Sequence, residues 1–334
     1  MAPREIRVRA RGKINLGLGI LGKRPDGYHE VESVAVLVGL ADDVAVRAVP
    51  HGIEVRCPGV PGPPEENLAF KAGQAVLQRF RAPFGLHISI SKRLPVGGGM
   101  GGASADAAAV LKAAWMLLGE PAPRETLTEI ACTLGADVPM FLPEDVTQEG
   151  QVAAFLLRGR GDEVVAVRSP ELPEIYFVLV LMNFPVSTAW AYARWDEMFA
   201  RRHPADGRTT NFADSRIPLI VEALKTGDAR ILGSSVFNDL EKPVATDFPL
   251  IHEVKRVLRQ AGALGAVMTG SGSTVAGIVI DPSHGLRVCR EFRRIWAGER
   301  AQRLEKSSSL PVRPGIKELV LVGRSRVLGR CAVS

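Results

Sequence analysis

The stretch Leu94-Pro95-Val96-Gly97-Gly98-Gly99-Met100-Gly101-Gly102-Ala103-Ser104-Ala105-Asp106-Ala107-Ala108 constrains this chain more than any other. It sets five glycines between Gly97 and Gly102. Glycine takes positive φ at no steric cost and lets backbone N–H groups approach a ligand that a Cβ would hold away. A run this dense loses more conformational entropy than a simple connection requires, so the loop has to be explained by what it contacts. Before it, Leu86-His87-Ile88-Ser89-Ile90-Ser91-Lys92 alternates apolar and polar residues, the period of a half-buried strand. After it, Ser104 to Leu118 is rich in Ala and Leu and stops at Gly119, with Pro121 and Pro123 beyond, which predicts a helix with a marked end. The order is therefore strand, glycine loop, helix. A helix N-terminus presents unpaired N–H groups and roughly half a positive charge, so a phosphate is the natural occupant of the loop. Ser104, placed at or near the N-cap, adds a hydroxyl for the helix end, a phosphate or a metal-bound water.

Other glycine-rich motifs fit less well. No Gly-Lys-Ser/Thr closes the run, so it is not a Walker A loop. Gly97, Gly99 and Gly102 do satisfy G-x-G-x-x-G, and Glu120 lies near the offset of a ribose-binding acid. In a dinucleotide fold, however, that acid ends a second parallel strand, whereas Glu120 follows the helix directly and enters Pro121-Ala122-Pro123.

Upstream, Ile6 to Ala10, Val31 to Val38 and Val44 to Val46 read as short strands. Between the first two lie Lys13-Ile14-Asn15-Leu16 and Arg24-Pro25-Asp26-Gly27-Tyr28-His29-Glu30. Pro25-Asp26-Gly27 has the chemistry of a turn and presents Tyr28 and His29 before the next strand. A lone lysine or histidine on a strand edge is ordinarily solvated. Together Lys13, Asn15, Tyr28 and His29 supply a cation, an amide, a stacking face and a hydrogen-bonding ring, a set suited to a phosphorylated ligand carrying a base. Leu68, Ala72, Ala75, Val76 and Phe80 have helical spacing, placing Asn67 and Lys71 at a helix start, where a cap and a surface lysine compete with nucleotide contact. Glu125 to Leu134 reads as another helix, broken at Gly135-Ala136-Asp137-Val138-Pro139. A half-buried Asp137 calls for a cationic partner such as Lys13 or a metal.

Ser169-Pro170-Glu171-Leu172-Pro173 marks a boundary near residue 170, dividing the chain into 1–170 and 171–334. Beyond it come a strand from Ile175 to Leu181, a helix carrying Trp190 and Tyr192, and a helix from about Phe248 to Ala261. Gly265 to Ile278 then reads as strand, glycine turn, strand, a second loop that closes over the first, braces the substrate loop or is a plain hairpin. Leu319 to Val322 suggests a last strand in a tail whose role is unassigned after about residue 305.

Composition narrows the classes. With 334 residues, 46% apolar and 23% charged, the chain is globular and long enough for two domains. A net charge of +6 suits an anionic small molecule and is too dispersed for nucleic acid. Four scattered cysteines form no C-x-x-C pair, which points to reduced thiols and a cytoplasmic protein. No run approaches 18 apolar residues, so no membrane partner is expected.

These motifs, in this order, resemble the GHMP small-molecule kinase superfamily: Lys13 to Leu16 with Arg24 to Glu30, the glycine loop, Gly135-Ala136-Asp137-Val138-Pro139, and Thr269-Gly270-Ser271-Gly272-Ser273. The resemblance covers roughly residues 5–280 and departs from the usual pattern at Met100, Ala103 and Ala105. It implies an α+β fold with an N-terminal domain like domain 2 of ribosomal protein S5 and a C-terminal α/β sandwich with a ferredoxin-like core. It implies ATP and Mg²⁺ as cofactors, with Lys13 and Asp137 catalytic. Pro95, Val96, Gly97, Gly98, Gly99, Met100, Gly101, Gly102, Ala103, Ser104 and Ala105, with Asn67 and Lys71, would bind ATP. Asn15, Tyr28, His29, Thr188, Gly270 and Ser271 would hold the acceptor, for which the first motif points to a cytidyl-diphosphate sugar alcohol phosphorylated on its 2-hydroxyl. Tyr176, Trp190 and Tyr192 are the candidates to face its base from the second domain. The alternatives are another kinase of the superfamily, acting on homoserine, mevalonate or a sugar, and a non-catalytic nucleotide-binding regulator. A monomer or homodimer is expected.

Overall fold

The structure, a computed structural model, describes residues 5–143, 146–147, 150–169, 173–199, 212–304, 315–324 and 326–332. Two long antiparallel strands, β1 (Glu5–Lys23) and β2 (His29–Val49), replace the three short ones expected from local alternation. The Arg11 to Gly19 segment stays paired with β2 by absorbing register shifts between Arg11 and Lys13 and between Asn15 and Gly17. Such bulges redirect side chains without ending a strand. The chain continues through β3 (Ile53–Arg56), α1 (Leu68–Arg79), β4 (Gly85–Ser91), α2 (Gly102–Leu117), α3 (Glu125–Leu134), β5 (Val146–Thr147), β6 (Gly150–Arg158) and β7 (Glu163–Ser169). The second half adds β8 (Tyr176–Met182), α4 (Thr188–Phe199), α5 (Phe212–Thr226), α6 (Ala229–Ser235) and β9 (Phe237–Asn238). It ends with α7 (Glu241–Asp247), α8 (Leu250–Gln260), β10 (Gly265–Met268), β11 (Val275–Val279), α9 (Pro282–Leu304), β12 (Ile316–Val322) and β13 (Val327–Ala332).

Two sheets result. The first runs β3-β4-β2-β1-β9, with β2 also pairing β6, which carries β5 and β7. The second runs β10-β11-β8-β12-β13. The unassigned tail therefore supplies two strands of the second sheet. The α+β character agrees with the expectation.

Side-chain alternation explains how the sheets are joined. On β1, Ile14 and Leu16 are fully buried in a core shared with Phe177, Leu179 and Leu181 of β8, while Lys13 and Asn15 point the other way. Val178, Val180 and Met182 of the same β8 face a second core under α4, α7, α8 and α9. A third core sits between the first sheet and α1, α2 and α3. Period-2 alternation thus makes β1 the wall between the shared core and the space where Lys13 and Asn15 lie.

The turn between β12 and β13 also ties the halves together. Gly39 of β2 donates its N–H to Gly323 O at 2.9 Å, and the Arg11 guanidinium donates to the carbonyl of Arg324. A Cβ at Gly39 would lie 2.2 Å from the Arg326 backbone N. Gly39→Ala should push this turn off β2 and cost about 1–3 kcal/mol of stability, read as a lower urea midpoint. An unchanged midpoint would show that the turn is not held against β2.

Candidate active site

The glycine loop is held by its carbonyls. Gly97 O accepts from Val186 N (3.0 Å), Gly98 O from Thr274 N (3.2 Å), Gly99 O from Thr269 Oγ1 (3.2 Å) and Met100 O from Lys13 N (3.0 Å). Four successive acceptors are consumed by protein, so the loop is left with N–H donors for a ligand. Gly97, Gly99 and Gly101 all take left-handed φ, at 65°, 75° and 69°. A Cβ on Gly99 would sit 2.1 Å from Thr269 O, so no other residue fits there without displacing the second loop. The turn between β10 and β11 closes over the first loop through Thr269 and Thr274 and, through Thr269, also braces Asn15 of the first motif. The N-cap of α2 is Gly101 and no side chain caps the helix, which leaves its first-turn N–H groups unclaimed by side chains. Ser104 falls inside the first turn rather than at the cap, but still lines the cleft.

Lys13 lies 5% exposed beneath this loop. Its Nζ donates to Asn15 Oδ1 and stands 3.8 Å from Asp137 Oδ2. Burial pushes the Lys13 ammonium below the ordinary lysine range, and the charge of Asp137 opposes that shift. Asn15 is itself fixed, donating its backbone N–H to Thr269 Oγ1 (3.0 Å) and its Nδ2 to Ser33 Oγ (2.8 Å). Asp137 is set by the turn after α3, where Val138 N bonds Gly135 O and Val138, Pro139 and Met140 are buried anchors.

These groups line a cleft of about 1040 Å³ that runs from Val55, Cys57, Val60 and Leu68 past the glycine loop to Tyr28, His29 and Tyr192. At the far end, His29 Nε2 meets Asp196 Oδ1 at 2.7 Å, and Tyr192 stacks on the His29 ring with centroids 4.8 Å apart. Tyr28 is 58% exposed, with the Arg160 guanidinium over its ring at 5.1 Å. Thr188 Oγ1 and Ser271 Oγ are 3.1 Å apart beside Gly270. Of the three candidate aromatics, only Tyr192 borders the cleft; Trp190 packs edge-on against Phe248 and Tyr176 against the second core.

Three of the residues expected to contact the nucleotide have the following places. Lys71 is exposed and off the cleft, because α1 turns Ala69, Ala72, Gly73 and Val76 inward and leaves Lys71 toward solvent. Ala105 is buried against the third core rather than facing the cleft. Asn67 borders the cleft, yet its side chain is engaged in capping α1 through Ala69 N at 2.9 Å.

One cluster went unnoticed in the sequence. Lys92 Nζ bonds Asp106 Oδ2 at 2.7 Å and also Asp42, whose oxygens further accept from Arg93 N and Leu94 N. This fixes the entry to the glycine loop. The available signal was Asp106, a charge inside an alanine-rich helix. Burial pushes the Asp106 carboxyl up to about 7, opposed by Lys92 and reinforced by Asp42.

The chain matches the description "GHMP kinases N terminal domain" over residues 67–143 and "GHMP kinases C terminal" over residues 220–298. Fold and site together are those of a GHMP small-molecule kinase. A 4-diphosphocytidyl-2-C-methyl-D-erythritol kinase of Geobacter sp. (strain M21) is 38% identical over 295 residues, spanning 87% of this chain and 95% of the relative. A crystal structure of a 4-(cytidine 5'-diphospho)-2C-methyl-D-erythritol kinase superposes with a TM-score of 0.69 at 31% identity, covering 86% and 96% of the two chains. The chain belongs to the 4-diphosphocytidyl-2-C-methyl-D-erythritol kinase family. A homoserine kinase from Cytophaga hutchinsonii gives a TM-score of 0.68 at 17% identity, over 97% of both chains, which shows the shared fold alone.

The raised Asp106 makes a signed prediction. Its folded pKa exceeds the unfolded value, so its contribution to stability is full below the ordinary carboxylate pKa and is lost as pH rises toward about 7. Asp106→Asn should remove that loss, so the stability difference, variant minus wild type, should grow more positive from pH 4 to pH 8 in urea titrations. A difference that is flat with pH would contradict it.

Proposed function

We propose that this chain transfers the γ-phosphoryl group of ATP to the 2-hydroxyl of 4-diphosphocytidyl-2-C-methyl-D-erythritol, a step in the supply of isoprenoid precursors. The observation that carries the reading is a phosphate loop and an aromatic and histidine pocket at opposite ends of one cleft, with Lys13 and Asp137 between them. The family's named acceptor carries a cytosine and a diphosphate, and a base fits the Tyr28, His29 and Tyr192 end. Homoserine, mevalonate and sugars offer no base to that end, and retention of Lys13, Ser104 and Asp137 argues against a non-catalytic regulator.

The glycine loop and the N-terminus of α2 bind the triphosphate through backbone N–H groups, with Asn67 and Leu68 at the nucleoside end. Among the described residues no cluster of three or more His, Cys, Asp or Glu could hold a metal alone. Ser104, at the phosphate end, would hold Mg²⁺ through its hydroxyl, with the nucleotide phosphates supplying further oxygens. When bound, it would supply charge neutralisation at the phosphate oxygens.

The role of Asp137 follows from magnitudes. With an alcohol taken as water-like, near pKa 15.7, and an ordinary carboxylic acid near 3.9, full proton transfer before attack is uphill by about 12 units, or about 16 kcal/mol. Asp137 therefore orients the acceptor hydroxyl and takes its proton late, as the new P–O bond forms and the pKa of the oxygen falls. Lys13, 3.8 Å from Asp137, pairs with it and meets charge on the transferring group. Asn15 holds the Lys13 ammonium in place, while Thr188, Gly270 and Ser271 contact the acceptor.

The division into 1–170 and 171–334, action in the cytoplasm as a monomer or homodimer, and independence of nucleic acid and membrane belong to the same reading. In support, no described helix is long and apolar enough to cross a membrane, and Cys57 and Cys132 are free thiols.

Mg-ATP-dependent ADP release should be confined to the cytidyl acceptor when homoserine, mevalonate and galactose are tested beside it. Asp137→Asn should bind ATP normally and lose about 10²–10⁴-fold in kcat. Turnover only with another acceptor would overturn the substrate assignment, and near-wild-type turnover by the variant would remove Asp137 from the chemistry.

A further inference from the structure

The proton on His29 is dictated from the second half of the chain. Asp196 of α4 accepts two hydrogen bonds on separate oxygens: Lys23 Nζ donates to Oδ2 at 2.6 Å, and His29 Nε2 lies 2.7 Å from Oδ1. Burial pushes the Asp196 carboxyl up, but the hydrogen bonds from Lys23 and His29 outweigh it and hold it below the ordinary carboxylate range. An ionised carboxylate only accepts, so Nε2 must be the donor. Neutral imidazole carries one N–H, and Nδ1 is then an acceptor. Among the described residues no hydrogen bond uses Nδ1, although His29 is 8% exposed and borders the cleft. The ring cannot easily turn away, with Tyr192 stacked on its face and Trp195 edge-on at 5.6 Å.

We propose that Asp196 is a positioning residue for substrate choice: by fixing the Nε2–H tautomer of His29 it presents Nδ1 as an acceptor, selecting a pyrimidine with a 4-amino group over one with a 4-oxo group. Cytosine donates from that amine, whereas uracil puts an oxygen there, leaving two acceptors facing each other. This rests on the assignment of a cytidyl acceptor above and adds the residue that enforces it.

Asp196→Asn inverts the device without removing its bulk. Lys23 requires an oxygen partner, so the carboxamide turns its NH₂ toward His29, which must then accept at Nε2 and carry its proton on Nδ1. Two readouts test this. Long-range ¹H–¹⁵N correlation on ¹⁵N-histidine-labelled protein, with His29 assigned by His29→Gln, should find the proton on Nε2 in the wild type and on Nδ1 in D196N. Steady-state kinetics with cytidine and uridine forms of the same acceptor should show wild-type preference for cytidine of at least about 100-fold in kcat/KM, since a site built to pair a polar group rejects the unpaired analogue. In D196N that ratio should fall at least about tenfold, through KM for the cytidine form more than kcat, and D196E should restore it. An unchanged ratio in D196N, or a wild-type proton on Nδ1, overturns the proposal. If the wild type used neither nucleotide form, the acceptor assignment would fall and the tautomer measurement would still judge Asp196.

Discussion

The constraint on which this structure rests is that one glycine loop must spend its carbonyls on protein. Gly97, Gly98, Gly99 and Met100 each give their oxygen to a different donor: Val186 after β8, Thr274 and Thr269 in the turn between β10 and β11, and Lys13 on β1. Two sheets and the turn of a hairpin must therefore meet at four consecutive residues. The left-handed φ of Gly97, Gly99 and Gly101 is what lets the peptide planes alternate in this way. An anion site follows from it, because carbonyl dipoles turned into protein no longer oppose a phosphate.

Lys13 shows how packing and chemistry are joined. Its backbone N–H closes the loop, its side chain is buried beneath it, and burial lowers the affinity of its ammonium for a proton while Asp137 at 3.8 Å raises it. A buried charge of this kind is costly unless it is paired and hydrogen-bonded. Asn15 meets the second need and is fixed from both sides, by Thr269 of the second half and Ser33 of β2. Alternation along β1 makes this possible, since Ile14 and Leu16 are driven into the shared core and leave Lys13 and Asn15 toward the cleft.

Much of this was legible in the residues and some was not. The glycine loop, the helices beginning at Glu125 and near Leu250, and the Tyr28-His29 turn follow from local chemistry, because glycine density, helical spacing and Pro-Asp-Gly act over a few residues. The continuity of β1 was hidden, since clear alternation ends at Ala10 and only pairing with β2 shows the strand running on through the register shifts at Arg11/Lys13 and Asn15/Gly17. Helix phase at Lys71 and Ala105 was not legible: proximity to a motif does not say which helix face a residue occupies. Asp42 and Asp196 were illegible because each acts on residues far along the chain and a lone aspartate carries no pattern of its own, while Tyr192 could not be told from Tyr176 and Trp190 until the fold brought it against His29.

The most direct test of the account is a crystal structure with a non-hydrolysable ATP analogue, Mg²⁺ and 4-diphosphocytidyl-2-C-methyl-D-erythritol bound together. The account predicts the triphosphate against the N–H groups of residues 97–104 and the base against Tyr28, His29 and Tyr192. It predicts the acceptor 2-hydroxyl within hydrogen-bond reach of Asp137, in line with the terminal phosphoryl group. A 2-hydroxyl directed away from Asp137, or a base lodged elsewhere in the cleft, would contradict it.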